Sequence, residues 1–189
     1  MVQPIIAFAS QAAWETWLDE HHSTSDGLRL KFAKKGSGIE SVSPDEAVEV
    51  ALCYGWIDSQ ANRLDDAFWM MRFTPRRSRS KWSQVNRARA EALIAQDAMM
   101  PAGLLEVERA KADGRWDAAY AAQSQATVPE DLQRELDQNP EAQAFFDTLD
   151  SRNRYAILHR LHDAKKPETR ARRIEKFVAM LRTGQKIYL

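Results

Sequence analysis

The sequence predicts an α+β fold, with a small antiparallel sheet of three or four strands packed with helices and an all-helical C-terminal portion. Three observations support this fold class. Short segments with the period-two alternation of half-buried strands lie before about residue 75. From about residue 80 onward, apolar residues recur at helical spacing instead. Serine and proline residues precede many of the helical segments, in the positions where they start helices.

The first part of the chain predicts alternating strands and helices. A short strand is expected near Ile5–Phe8, and Ser10 precedes an amphipathic helix. Leu28–Ala33 alternates apolar and basic residues, which indicates a half-buried strand. The segment Ser43–Glu46 is a capping box with proline at the first helical position, and Gly55 offers the end of that helix.

Two more strands and a helix follow. Trp56–Gln60 and Ala67–Thr74 are predicted strands joined by a turn. Ser80 or Ser83 caps the next helix, whose apolar face is expected to carry Val85, Ala88, Ala92 and Leu93. Pro101 opens another helix with Leu104, Leu105 and Val107.

The rest of the chain is predicted to be helical. Residues 117–127 lack a strong apolar period and are interpreted as a connecting region. Helices are expected to begin near Thr127, at Asn139–Pro140 and at Pro167, with a longer helical pattern through Leu158. We therefore expect an α+β domain over residues 1–120 and a helical region over 121–189, which could also pack onto the first as one globular unit.

Composition limits the classes of function. The 189 residues have a formal net charge of zero, which argues against a protein that coats nucleic acid. Cys53 is the only cysteine, so an intrachain disulfide and a thiolate zinc cluster are excluded. Met1–Ser10 does not have the pattern of a signal peptide, and no apolar run is long enough for a membrane span. The expected location is the cytoplasm.

A basic segment follows the last predicted strand. Residues 72–89 contain six arginines and one lysine but no carboxylate. A strand, a loop and a helix beginning near Ser80 would offer free backbone N–H groups and arginine forks to an anion. The alternative is a solvated basic loop whose arginines pair with the chain's own acids. The candidate ligand-binding residues are Arg72, Arg76, Arg77, Arg79, Ser80, Lys81, Ser83, Asn86 and Arg87, with Trp82 packing against the ligand or stacking on a base.

Trp56 and Asp58 are added to the candidate ligand-binding residues. Their spacing of two places them on one face of a strand. A carboxylate beside a tryptophan in a cleft could serve as a general acid or base. In the alternative interpretation, Trp56 belongs to the core and Asp58 anchors an arginine such as Arg72 on the neighbouring strand. Asp58 would then only orient the basic site.

Two other groups of residues lie in the C-terminal portion. The second basic cluster consists of Lys165, Lys166, Arg170 and Arg173. It is either a further phosphate-like contact or the solvated side of a helix. His159 and His162 could hold a metal only if a third ligand came from elsewhere, and no recognised metal-binding pattern completes them. No metal, cofactor or catalytic residue is therefore assigned.

Six segments form a recognisable combination in this order: Ala51–Asp58, Arg72–Arg77, Ser80–Asn86, Met100–Gly103, Ala110–Trp116 and Ala164–Ile174. With these segments the chain resembles the YdeI/OmpD-associated family, also called bacteriocin-protection proteins. The resemblance implies a link to an outer-membrane porin and protection against bacteriocins or antimicrobial peptides. It implies no reaction and no cofactor.

Three hypotheses follow. The first is a non-enzymatic cytoplasmic binding protein of this type, which binds an anionic small molecule or an acidic partner surface and acts in envelope or antimicrobial-peptide stress resistance. The second is a nucleic-acid-binding protein in which Trp82 or Phe73 stacks on a base. The third is an enzyme that acts on a phosphorylated or acidic metabolite through Asp58. The sequence leaves the ligand and the oligomeric state open.

Overall fold

The computed structural model describes residues 3–189, which form one four-stranded sheet and eight α-helices. In chain order the elements are β1 (Ile5–Ala7), α1 (Gln11–His21), β2 (Leu28–Ala33), α2 (Pro44–Cys53), β3 (Trp56–Arg63), β4 (Phe68–Pro75), α3 (Gln84–Ala95), α4 (Pro101–Ala112), a 3-10 turn (Gln123–Gln125), α5 (Glu130–Asp137), α6 (Pro140–Thr148), α7 (Ser151–His162) and α8 (Pro167–Arg182). The predicted α+β class, with a helical C-terminal portion, is confirmed.

The sheet has the strand order β1-β2-β4-β3. The β2–β4 and β4–β3 pairs are antiparallel, but β1 pairs with β2 in parallel. The sheet is therefore mixed, and the prediction of a purely antiparallel sheet was wrong at this edge. The reason is that α1 connects β1 to β2, and a helical crossover returns the chain in the same direction.

The core of this region lies on one face of the sheet. Leu28, Leu30 and Phe32 of β2 are buried there, as the alternating pattern predicted. They share a buried cluster with Trp14 of α1 and Ala47 of α2. The indole Nε1 of Trp14 donates a hydrogen bond to the Ala47 carbonyl at 3.1 Å, so the two helices are joined by a polar contact inside the core.

The helix caps of this region follow the sequence signals. The Ser10 side chain accepts a hydrogen bond from the backbone of α1, and Ser43 forms a complete capping box with Glu46 at the start of α2. Because the carboxylate of Glu46 accepts backbone and side-chain hydrogen bonds from Ser43, its pKa lies below the ordinary value.

The apolar face of α3 differs from the prediction. Val85 is 42% exposed, whereas Ala90 is fully buried and Leu93 is half-buried. The buried stripe thus runs through Ala90 and Leu93, and the helix is rotated relative to the face that we predicted. In α4, Leu104 and Leu105 are likewise exposed while Val107 is buried.

The chain divides into two compact units, one ending at Ala119 and the other beginning at Tyr120. The second unit contains the 3-10 turn and helices α5 to α8. Its core is formed by residues such as Leu132, Phe146 and Leu181, all of which are fully buried. Within residues 3–189, no helix is both long enough and apolar enough to cross a bilayer.

Candidate functional site

The basic segment forms a strand, a loop and a helix, as predicted, but the helix begins later than Ser80. β4 ends at Pro75, and α3 starts at Gln84 with Ser83 as its N-cap. The Ser83 hydroxyl accepts the Asn86 N–H at 3.0 Å, so the cap itself satisfies one of the free donors. Ser80 lies inside the loop, where its hydroxyl accepts the Arg77 N–H at 2.9 Å.

Arg76 and Trp82 form a structural pair instead of a ligand contact. The Arg76 side chain is buried, and its guanidinium lies 3.6 Å from the centre of the Trp82 ring. One guanidinium nitrogen donates to the Lys81 carbonyl at 3.2 Å. The backbone N–H of Arg76 donates to the Gly55 carbonyl at 2.9 Å, which ties the loop to the start of β3.

Neither predicted tryptophan is accessible to a ligand. Trp82 is 1% exposed, because Arg76 covers one face and Trp116 meets it edge-on at 4.8 Å. The expectation that Trp82 packs against a ligand or stacks on a base was therefore wrong. Trp56 is also 1% exposed and belongs to the core, where its Nε1 donates to the His22 carbonyl at 3.2 Å.

The cations at the end of the segment point to other parts of the first unit. Arg87 lies 3.7 Å from Glu91 on the next turn of α3, and Arg89 pairs with Asp45 at 2.5 Å. Arg79 and Lys81 are exposed on the loop. The seven cations that cluster in the sequence therefore do not converge in space, because a loop and a helix direct successive side chains to different sides.

Two of the predicted arginines nevertheless meet in one place. Arg72 of β4 and Arg77 of the loop line an open hollow of about 890 Å³, where Arg29 of β2 joins them. We call this the arginine hollow. Its lining residues are Gln3, Pro4, Thr24, Ser25, Asp26, Gly27, Arg29, Gln60, Arg72 and Arg77.

Strand register explains why Arg29 and Arg72 are neighbours. The two residues are directly paired across the antiparallel β2–β4 ladder, and both lie on the face opposite the core. Side chains in such a pair are about 5 Å apart at Cβ, and like charges there destabilise a sheet. Among residues 3–189, neither Arg29, Arg72 nor Arg77 forms an ion pair with a carboxylate. Among the lining residues that the structure describes, Asp26 is the one acid that offsets the positive charge of the hollow.

The N-terminal segment holds Arg72 in position. The side-chain oxygen of Gln3 accepts a hydrogen bond from Arg72 Nε at 2.7 Å, and the Gln3 amide nitrogen donates to the Asp26 carbonyl at 3.1 Å. The uncharged Gln3 amide thus fixes the orientation of the Arg72 guanidinium and leaves its positive charge uncompensated.

Gly27 leaves room for the Gln3 side chain and strand β4 to lie close together. Its φ is +121°, and a Cβ atom there would lie 2.5 Å from the Phe73 carbonyl oxygen and 2.6 Å from the Gln3 amide nitrogen. Only a residue without a side chain lets Gln3 and β4 come this close.

Asp58 does not belong to the arginine hollow. It is paired with Phe73 across the β3–β4 ladder, whereas Ser59 stands opposite Arg72. The structure contains no Asp58–Arg72 ion pair among its described residues, so the predicted anchoring was wrong. A neutral glutamine holds Arg72 instead, and no local pattern predicts a contact between residues so far apart in the chain.

The second basic cluster is largely occupied by structural contacts within the second unit. Arg170 binds the Asp131 carboxylate with two nitrogens, one of them at 2.7 Å, and donates to the Leu161 carbonyl at 2.8 Å. Arg173 donates to the Arg160 carbonyl. These bonds go to carbonyls in the last turn of α7, where the Leu161 carbonyl also accepts the Ala164 N–H at 3.0 Å, so the two arginines add to the cap of that helix. Lys165 and Lys166 are exposed on the connection before α8.

The Arg170–Asp131 pair has the expected effect on titration. The hydrogen bonds from Arg170 hold the pKa of the Asp131 carboxyl below its ordinary value, and the same contact raises the pKa of Arg170. Within residues 3–189, no group of three or more His, Cys, Asp and Glu side chains is arranged to hold a metal ion.

Comparison with known proteins gives two family matches. Residues 6–106 match the family described as a domain of unknown function, DUF8412. Residues 125–184 match the family described as bacteriocin-protection, YdeI or OmpD-associated, so the resemblance predicted from the sequence is confirmed there. Of the six segments that carried it, only Ala164–Ile174 lies in that range. No curated protein and no solved structure matches the chain.

Proposed function

We propose that this chain, a member of the DUF8412 family over residues 6–106, binds an anion in the arginine hollow. The chain also matches the YdeI/OmpD-associated family over residues 125–184. Because neither family description names a ligand, the proposal is drawn from the site itself. The observation that carries this proposal is the meeting of Arg29, Arg72 and Arg77 in one open hollow, where none of them forms an ion pair with a carboxylate of the described part of the chain.

The chemistry of the lining favours phosphate or carboxylate groups. Guanidinium forks bind such oxygens with two charge-assisted hydrogen bonds, and each bond to a charged group contributes about 1.5 to 3 kcal/mol. Thr24 and Ser25 add hydroxyl groups to the lining. A bound anion would also remove the repulsion between Arg29 and Arg72, which are paired directly across the sheet.

The size of the hollow favours more than a bare ion. At about 890 Å³ it falls within the range of small-molecule sites. We therefore propose a small phosphorylated or multiply carboxylated molecule, or an acidic side of a partner protein, as the ligand class. The protein acts as a binding protein in this proposal, because Asp58, the only acid that we considered for catalysis, lies outside the hollow.

The nucleic-acid hypothesis is less well supported. Both aromatic rings proposed to stack on bases, Trp82 and Phe73, are almost fully buried. A single-strand binder needs accessible rings of this kind beside its cations.

Arginine replacement tests the proposal. In Arg29→Ala and Arg77→Ala, the affinity for inorganic pyrophosphate and citrate should fall at least tenfold, as followed by ligand-induced thermal stabilisation. Arg79→Ala is the matched control, because Arg79 is an exposed arginine of the same loop that does not line the hollow, and its affinity should stay within twofold of wild type. Equal losses in all three variants would indicate a diffuse charge effect and refute the proposed site.

A single-stranded oligonucleotide serves as the comparison ligand. The affinity for this oligonucleotide should fall log-linearly with salt concentration if the protein binds nucleic acid, whereas the affinity for a ligand of the hollow should fall less steeply.

We further propose that the binding protein works in the cytoplasm in resistance to envelope or antimicrobial-peptide stress. A strain that lacks the protein should then be more susceptible to such peptides, and the Arg77→Ala variant should not restore resistance while Arg79→Ala should.

A further inference from the structure

The second unit contains a pocket that the proposed function does not use. Its volume is about 320 Å³, close to the lower end of small-molecule sites. The lining residues are Tyr120, Ala121, Ala126, Thr127, Pro129, Tyr155, Leu158, His159, His162 and Arg170. All of them belong to the unit that begins at Tyr120.

Aromatic rings in fixed orientations form one wall of this pocket. The His159 ring meets Tyr120 edge-on with centroids 4.9 Å apart, and it is tilted against Tyr155 at 5.6 Å. The Tyr155 hydroxyl donates to the Ala121 carbonyl at 3.0 Å, so this ring is anchored at its polar end. These edge-on and tilted contacts hold the rings in defined orientations at the pocket wall.

The ionisable groups at the pocket already have partners. Arg170 is bound by Asp131 and by the Leu161 carbonyl. His159 Nδ1 lies 3.7 Å from the Asp163 carboxylate. An ionic ligand would compete with these pairs and would have to replace their hydrogen bonds, which makes a charged occupant unfavourable.

Most of the other lining residues are apolar, and the polar Thr127 is exposed. Ala121, Ala126, Pro129 and Leu158 line the pocket beside the rings. From the small volume, the ordered rings and the paired charges, we propose that this pocket binds an uncharged aromatic molecule of one or two rings. The ligand would meet Tyr120 and Tyr155 at their edges or faces, and it would bury its apolar surface against Leu158.

The experiment uses the full chain and five probes of similar size: phenol, indole, benzoate, benzylamine and cyclohexanol. Binding is measured by chemical-shift titration of the backbone amides. Phenol or indole should bind with an affinity at least fivefold higher than benzoate, benzylamine or cyclohexanol. The largest shifts should fall on residues that line the pocket.

A variant that fills the pocket provides the decisive comparison. Thr127 is an exposed lining residue, so Thr127→Phe should reduce the affinity for phenol and indole at least tenfold without loss of folding. Thr183→Phe is the matched control, since Thr183 is exposed in the same unit and does not line the pocket, and its affinity should stay within twofold of wild type. The proposal is overturned if no probe binds, if a charged or non-aromatic probe binds as well as phenol and indole, or if Thr127→Phe binds them like wild type.

Discussion

Replacing Gly27 with alanine should destabilise the first unit by about 4 kcal/mol. Two costs add. A non-glycine residue at φ +121° adopts a strained backbone conformation, which costs about 1 to 3 kcal/mol. The new methyl group would also lie 2.5 Å from a backbone oxygen of Phe73 and 2.7 Å from Thr74 Cγ2, and overpacking of this kind costs about 1 to 3 kcal/mol.

Gly38→Ala is the matched control for this prediction. Gly38 also has a positive φ, +70°, but an added Cβ atom would meet nothing within 4 Å. It should therefore show only the backbone cost, about 1 to 2 kcal/mol. The difference between the two variants therefore measures the close approach together with the greater backbone strain at φ +121°.

Tryptophan fluorescence during urea denaturation is the appropriate assay. All six tryptophans lie at or before Trp116 and hence in the first unit, so the signal does not report on the second. If Gly27→Ala costs no more than Gly38→Ala, the packing argument is refuted. Because the added methyl group displaces the Gln3 amide that orients Arg72, Gly27→Ala should also weaken pyrophosphate binding, while Gly38→Ala should not.

Three other changes have defined outcomes. Trp14→Phe should cost the first unit about 2 to 3 kcal/mol in urea denaturation, because it removes the buried indole hydrogen bond to the Ala47 carbonyl and reduces the packed volume. An unchanged midpoint would contradict this role. Asp131→Asn should lower the stability of the second unit at neutral pH. Since Arg170 depresses the pKa of Asp131 in the folded state, the wild-type advantage is present above the unfolded pKa of about 3.9 and should shrink on further acidification, as followed by circular dichroism. Burial raises the pKa of the Cys53 thiol to about 11, so a disulfide reagent at about pH 8 should react roughly a hundredfold more slowly with the folded than with the urea-unfolded chain.

Local signals predicted most elements of the fold. The capping box at Ser43, the alternation in Leu28–Ala33 and the proline at position 101 each depend on neighbouring residues, and each gave the correct element. The parallel direction of β1 and the rotation of α3 depend on packing between distant segments. Sequence periodicity contains little information about either.

The candidate site was only partly predictable for the same reason. Arg72 and Arg77 were identified from a run of charge, but that run also contained Arg76, which is buried against a tryptophan ring. Arg29 was missed although its outward direction followed from the alternation in β2. Its importance appears only from its pairing with Arg72, and the order of strands in the sheet is a tertiary property.

The edge position of β1 connects local opening of the sheet with ligand affinity. Only the three residues of β1 pair with β2, and the Pro4 carbonyl accepts one more hydrogen bond, from the Arg29 backbone N–H. Gln3 stays beside Arg72 only while this short edge remains attached, so fraying there would release the guanidinium from its orienting amide. By reciprocity, an anion bound in the arginine hollow should slow hydrogen exchange at the β1–β2 amides.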